Sequence, residues 1–287
     1  MKKVLVGCAV AAGVLLLLGV VSGVLVVNWV RKELPEMKRL TEAREALIER
    51  FGDREDYVPA LDAQLRPERI ELFVSAREHL LFDRAEVAAR LESFIKKTRS
   101  EDWERRGAFE KLVEGLNMLK GGLGIAGQGM EYLGIRSEKL LDAGMGEGEY
   151  AYLFCLMCYS WLEWDPFEAL GEEAVEDLGL EDEVVALQGE FRRILLRQLK
   201  NQRLELQDKD DRTPAEERAL ELVADAIRQA RDRSGRFPFQ GAIPSSWVAV
   251  LEPFRDRFTA TLPTTPTELL LESVEQLLEE DDSSFTF

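Results

Sequence analysis

Two cysteines three residues apart, Cys155-Leu156-Met157-Cys158, have the spacing of redox and metal sites. A redox pair needs a helix N-terminus and partial exposure to lower its thiol pKa. Zinc needs two further ligands at motif spacing, and haem attachment needs a histidine where Tyr159 stands. These thiols lie mid-run among Phe154, Met157 and Tyr159, so they read as packed core residues. Gly122-Leu123-Gly124-Ile125-Ala126-Gly127 fits the dinucleotide pattern G-x-G-x-x-G literally. That pattern works where a strand hands over to a helix and the glycines let the backbone reach a pyrophosphate. Here Phe109 to Lys120 precede it with helical periodicity and charges at Glu110, Lys111 and Glu114, which fits a glycine-rich helix break or a tight helix crossing instead. His79 is the only imidazole, and it falls opposite the side formed by Ile70, Val74, Arg77 and Leu81, facing solvent. No H-E-x-x-H motif occurs, and a Ser-His-Asp arrangement has this histidine alone to use. The residue types therefore assign no catalytic group, cofactor or metal ligand.

Charge narrows the partners. The chain of 287 residues has 37 Lys and Arg against 54 Asp and Glu, a formal net charge of −17. Its first 32 residues hold four bases and no acid, so residues 33–287 set 33 bases against 54 acids, a net of −21. So acidic a body repels a phosphate backbone, which excludes nucleic acid as its principal partner. One stretch departs from this: Phe191 to Arg203, FRRILLRQLKNQR, has five bases and no acid. Arg193, Arg197 and Lys200 share one helical face that suits anionic headgroups or an acidic partner. Neutralisation of acidic neighbours from other helices is the reading favoured in so acidic a body.

The elements that would position these residues begin with Val4 to Val30, a 27-residue run without a charge, flanked by Lys2 and Lys3 before it and Arg31 and Lys32 after. A helix needs ~20 apolar residues to cross a bilayer, so the run spans one even when tilted, with Trp29 at the interface. A cleaved secretory signal is the competing reading, but its apolar region is usually ~7–15 residues long, and Val21-Ser22-Gly23 makes a poor cleavage site. Gly19 and Gly23 form a G-x-x-x-G pair along which two spans can approach, predicting a weak homodimer. Bases after the span outnumber Lys2 and Lys3, which by count keeps the body in the cytoplasm. The dibasic start before an apolar run favours the extracytoplasmic side.

Beyond the anchor, apolar residues recur at three- and four-residue steps: Met37, Leu40, Ala43, Leu47 and Phe51 up to Gly52, then Ile70, Phe73, Val74, Leu80 and Leu81, and later Val184, Leu187, Phe191, Ile194 and Leu195. Thr213-Pro214-Ala215-Glu216 predicts a capping box opening a helix through Leu220, Val223, Ile227 and Ala230. Tyr150 to Trp161, YAYLFCLMCYSW, is too short to cross a membrane and reads as the central buried helix, with a buried strand as the alternative. No alternating strand with a hairpin turn appears. The expected fold is all-α: a transmembrane anchor over 1–32, a helical-bundle-like domain over 33–262, and over 263–287 a C-terminal helix with a mobile acidic tail. In that tail Phe285 and Phe287 beside the free carboxylate have the form of a PDZ ligand, or else fold back onto the body.

Tyr57-Val58-Pro59, Arg66-Pro67-Glu68-Arg69, Ala76-Arg77-Glu78, Glu149-Tyr150, Tyr159-Ser160-Trp161-Leu162, Arg197-Gln198-Leu199-Lys200-Asn201-Gln202 and Pro253-Phe254-Arg255 resemble segments of bacterial single-pass membrane proteins with an all-helical body and no assigned activity. The likeness covers most of the chain. It implies a bacterial inner-membrane setting with residues 4–30 in the bilayer, and it carries over no catalytic residue. The expectation is thus a membrane-anchored envelope protein whose acidic body binds another envelope protein. A tethered module with an apolar pocket for lipid or a small molecule near Tyr150 to Trp161 is the second reading, and a carboxylate-dependent hydrolase the third.

Overall fold

A computed structural model describes residues 42–98, 132–232 and 236–272, and every regular element among them is a helix. The apolar run Val4–Val30 with Gly19 and Gly23, the Gly122–Gly127 motif, and Phe285 and Phe287 lie outside the described residues. Among those described, no helix is long and apolar enough to cross a membrane.

Helix α1 (residues 42–51) buries Ala43 and Leu47 and stops at Gly52, whose φ of +78° is the left-handed conformation that a missing Cβ allows. A loop then leads to α2 (Pro67–Thr98), with proline at the first helical position and Ile70, Phe73, Val74 and Leu80 buried along one stripe. Helix α3 (residues 132–142) packs Tyr132 and Leu133 against Leu80 and Ala88 of α2 in a small cluster closed by Leu271.

Helix α4 (Glu147–Cys155) continues into one π-helical turn, Leu156–Trp161, and everything from Tyr150 to Trp161 is buried. A helix apolar all round must lie at the centre, and this one does. Short helices α5 (Pro166–Leu170), capped by Asp165, and α6 (Glu172–Leu178) cross to the long α7 (Glu181–Asp208). Helix α7 buries Val184, Leu187, Phe191, Ile194 and Leu195 and packs against α4. Its antiparallel neighbour α8 (Pro214–Asp232) opens on the capping box: the Glu216 amide donates to Thr213 Oγ1 at 3.3 Å and Glu216 Oε2 accepts from the Thr213 amide at 2.9 Å. After a loop come α9 (Ser245–Leu251), a 3-10 turn (Glu252–Phe254), α10 (Arg255–Thr259) and α11 (Pro266–Leu271), the last seated against α2.

The π turn is locked by the loop that follows α8. The Ser160 hydroxyl donates to the Pro238 carbonyl at 2.7 Å, and the Tyr159 ring stacks on Phe237 at 4.2 Å. Phe239 holds a φ of +66° there, a conformation bulky residues rarely adopt, with its ring buried edge-on to Trp247. Where α4 begins, the chain approaches the 53–58 loop so closely that a Cβ on Gly148 would collide with the Tyr57 Cβ and lie 2.8 Å from the Arg54 carbonyl. Gly148→Ala should therefore lower stability by about 1–3 kcal/mol, read as a reduced urea midpoint with unchanged slope.

Candidate functional site

Arg77 and Arg84 stand two turns apart on α2, on the stripe that faces the core, so the fold must give two guanidiniums partners away from water. Helix α4 supplies Tyr150, whose hydroxyl accepts from Arg77 Nη1 at 2.7 Å. The turn after α10 supplies Thr261: Arg77 Nε donates to its Oγ1 at 3.0 Å, while Arg77 Nη2 and Arg84 Nη2 each donate to its carbonyl at 2.8 Å. Glu272, just past α11, supplies the countercharge. Its Oε1 lies 3.0 Å from Arg77 Nη2 and 2.8 Å from Arg84 Nη1, and its Oε2 accepts from the Tyr150 hydroxyl at 3.1 Å.

A third guanidinium, Arg136 of α3, bonds Glu147 Oε2 at 2.8 Å and the Glu272 carbonyl at 3.3 Å, and lies 4.7 Å above the Tyr150 ring. Glu268 closes the group, 3.6 Å from Arg84. The Arg77 side chain is 0% exposed and that of Glu272 2%, and the Arg77 guanidinium sits 4.7 Å from the centre of the Phe154 ring.

Burial alone would raise the Glu272 carboxyl, but Arg77, Arg84 and Arg136 outweigh it and hold it at about 2. Burial also works against the charge on Arg77, and Glu272 and Tyr150 beside it more than offset this. The Tyr150 phenol is pushed up, chiefly by burial. The chemistry of this arrangement is the recognition of a carboxylate by two guanidiniums on one oxygen and a phenol on the other. Removing one member of such a set strands the others, a loss of about 3–5 kcal/mol.

The residues singled out by spacing lie elsewhere. Cys155 and Cys158 are both free and fully buried. The Cys155 thiol points to the Phe191 carbonyl at 3.6 Å and is pushed up to about 12 by burial, and Cys158 is raised for the same reason. Beside them the Tyr159 hydroxyl is buried with no hydrogen-bond partner among the described residues. His79 is exposed. Arg193 and Arg197 both hold Glu55, Arg193 also pairs with Glu190, and Lys200 is exposed on the same face. Among the described residues no three His, Cys, Asp or Glu side chains cluster as a metal would require.

Arg77, Arg84, Arg136 and Glu272 were not legible as a site from spacing. The one available signal is that Arg77 and Arg84, two turns apart, fall on an otherwise apolar stripe.

Two measurements check this description. Glu272 titrates well below its ordinary 4.5 in the folded chain, so its contribution to stability is present above about pH 4.5 and lost as pH falls towards 2. Stability of the wild type should drop across that window, and Glu272→Gln, less stable at neutral pH, should follow a flatter curve through it. Cys155 and Cys158 should resist iodoacetamide at about pH 8 in the folded protein and react once denaturant is added, as peptide mass spectrometry will show.

Comparison with family models, curated proteins and solved structures finds no match to the chain.

Proposed function

We propose that the chain is a membrane-anchored bacterial envelope protein whose acidic helical body docks a protein partner with a basic face. The observation that carries this reading is the surface from Glu163 to Glu190. The chain over this stretch has eleven carboxylates and no Lys or Arg, ten of the eleven are exposed, and the eleventh, Glu190, pairs with Arg193 at its edge. Helices α5 and α6 and the first turn of α7 present eight of them, and acids in the first turns of α6 and α7 are favoured by the positive ends of those helices. Val185, 57% exposed within this surface, offers apolar contact amid the charge. Such a face steers a basic partner and makes binding salt-dependent. The uncharged run Val4–Val30 supports the tether, and its dibasic start supports an extracytoplasmic body.

A second reading, a tethered small-molecule or lipid binder near Tyr150 to Trp161, is favoured by the unpartnered buried hydroxyl of Tyr159. Purification from detergent-solubilised membranes with mass spectrometry of what stays bound separates the two. A co-purifying basic protein, lost about tenfold on changing Glu172, Glu173 and Glu176 together to Gln or on raising salt, is the expected result. A partner indifferent to both changes overturns the acidic face, and a bound small molecule with no protein favours the second reading. Protease added to intact spheroplasts should digest the body; protection until lysis would place it inside.

A further inference from the structure

We propose that Arg77, Arg84 and Tyr150 form a receptor for a small carboxylate, which the chain fills with its own Glu272, and that an external carboxylate of acetate size takes the same place when that side chain is removed. This inference stands apart from the docking surface above. Three donors converge on the two oxygens of Glu272: Arg77 Nη2 and Arg84 Nη1 on Oε1, at 3.0 and 2.8 Å, and the Tyr150 hydroxyl on Oε2 at 3.1 Å. Charged nitrogens on one oxygen and a neutral hydroxyl on the other are how a bound carboxylate is recognised.

The receptor does not depend on its occupant for its shape. Arg77 is held by Thr261 Oγ1 and the Thr261 carbonyl and by the Phe154 ring. Arg84 bonds the same carbonyl, and Tyr150 lies beneath Arg136. Among the described residues, Arg77 has Glu272 as its one carboxylate partner, and Arg84 without Glu272 keeps only Glu268, at 3.6 Å. One buried positive charge then lacks its countercharge, a state so costly that the site must draw in an anion.

Glu272→Ala deletes one methylene and the carboxylate, the heavy atoms of acetate. The space left behind therefore matches acetate in volume, shape and charge, whereas chloride supplies the charge without the two-oxygen fork. Glu272 is carried just past the short helix Pro266–Leu271, so an anion present while the chain folds can enter before that segment packs against α2.

The test uses the full chain carrying Glu272→Ala, melted in sodium acetate and in sodium chloride of equal ionic strength. The variant should melt about 5 °C or more below the wild type in chloride and recover at least half of that loss in acetate. Arg77→Met added to Glu272→Ala should abolish the recovery. Glu272→Gln, which leaves the space filled, should melt alike in the two salts. Equal melting of Glu272→Ala in both salts overturns the proposal, as does an equal gain by the wild type in acetate. Should Glu272→Ala not fold in chloride, a higher soluble yield on refolding in acetate supports the receptor, and equal yields in the two salts overturn it.

Discussion

Three arginines taken out of water set the terms for the rest of this protein. Each guanidinium loses several kcal/mol of hydration on burial, and the loss is recovered only if carboxylates, carbonyls and rings meet it in good geometry. The arginines stand on α2 and α3 and their partners come from α4, the turn after α10 and the segment carrying Glu272, so no helix of that set can shift without unmaking the group. Apolar packing tolerates small slips, and directed bonds do not. The cage therefore fixes the register of α2 against its neighbours more narrowly than the Phe73, Tyr150 and Phe258 rings around it can do alone.

A second set of directed contacts disciplines the loop between α1 and α2. Gln198 donates to the carbonyls of Arg54 and Gly148, Asn201 to that of Glu55, and Gln202 to that of Ala60. These amides face one loop from a single side of α7, and Arg193 and Arg197 reach over its edge to Glu55. The loop is thus held by its backbone as well as by Glu55 and by Tyr57, whose ring lies 5.8 Å from that of Tyr152. Trp247 adds one more tie by donating to the Ala63 carbonyl at 2.7 Å.

Helix stripes were readable because apolar periodicity is a local property: Ile70, Phe73 and Val74, or Val184, Leu187 and Phe191, announce their burial within two turns. Gly52 and the Thr213–Glu216 cap were readable for the same reason, since both are written in adjacent residues. The cage was not. Arg84 meets Glu272 across 188 positions, and in a chain with 54 acids nothing in the sequence says which carboxylate an arginine will find. The π turn at Leu156–Trp161 was equally hidden, because it depends on the Pro238 carbonyl and the Phe237 ring, which come from a distant loop.

That separation also has a consequence in time. A ribosome adding about 5–20 residues per second makes Arg77, Arg84 and Arg136 on the order of ten seconds before Glu272. Throughout that interval Arg136 already has Glu147, but Arg77 and Arg84 carry charges whose shared acid has not yet been made, so these two guanidiniums stay hydrated. The group is therefore closed only when the last part of the described chain has been synthesised, and a chain cut short of Glu272 would keep the Thr261 bonds of Arg77 and Arg84 while lacking their shared countercharge.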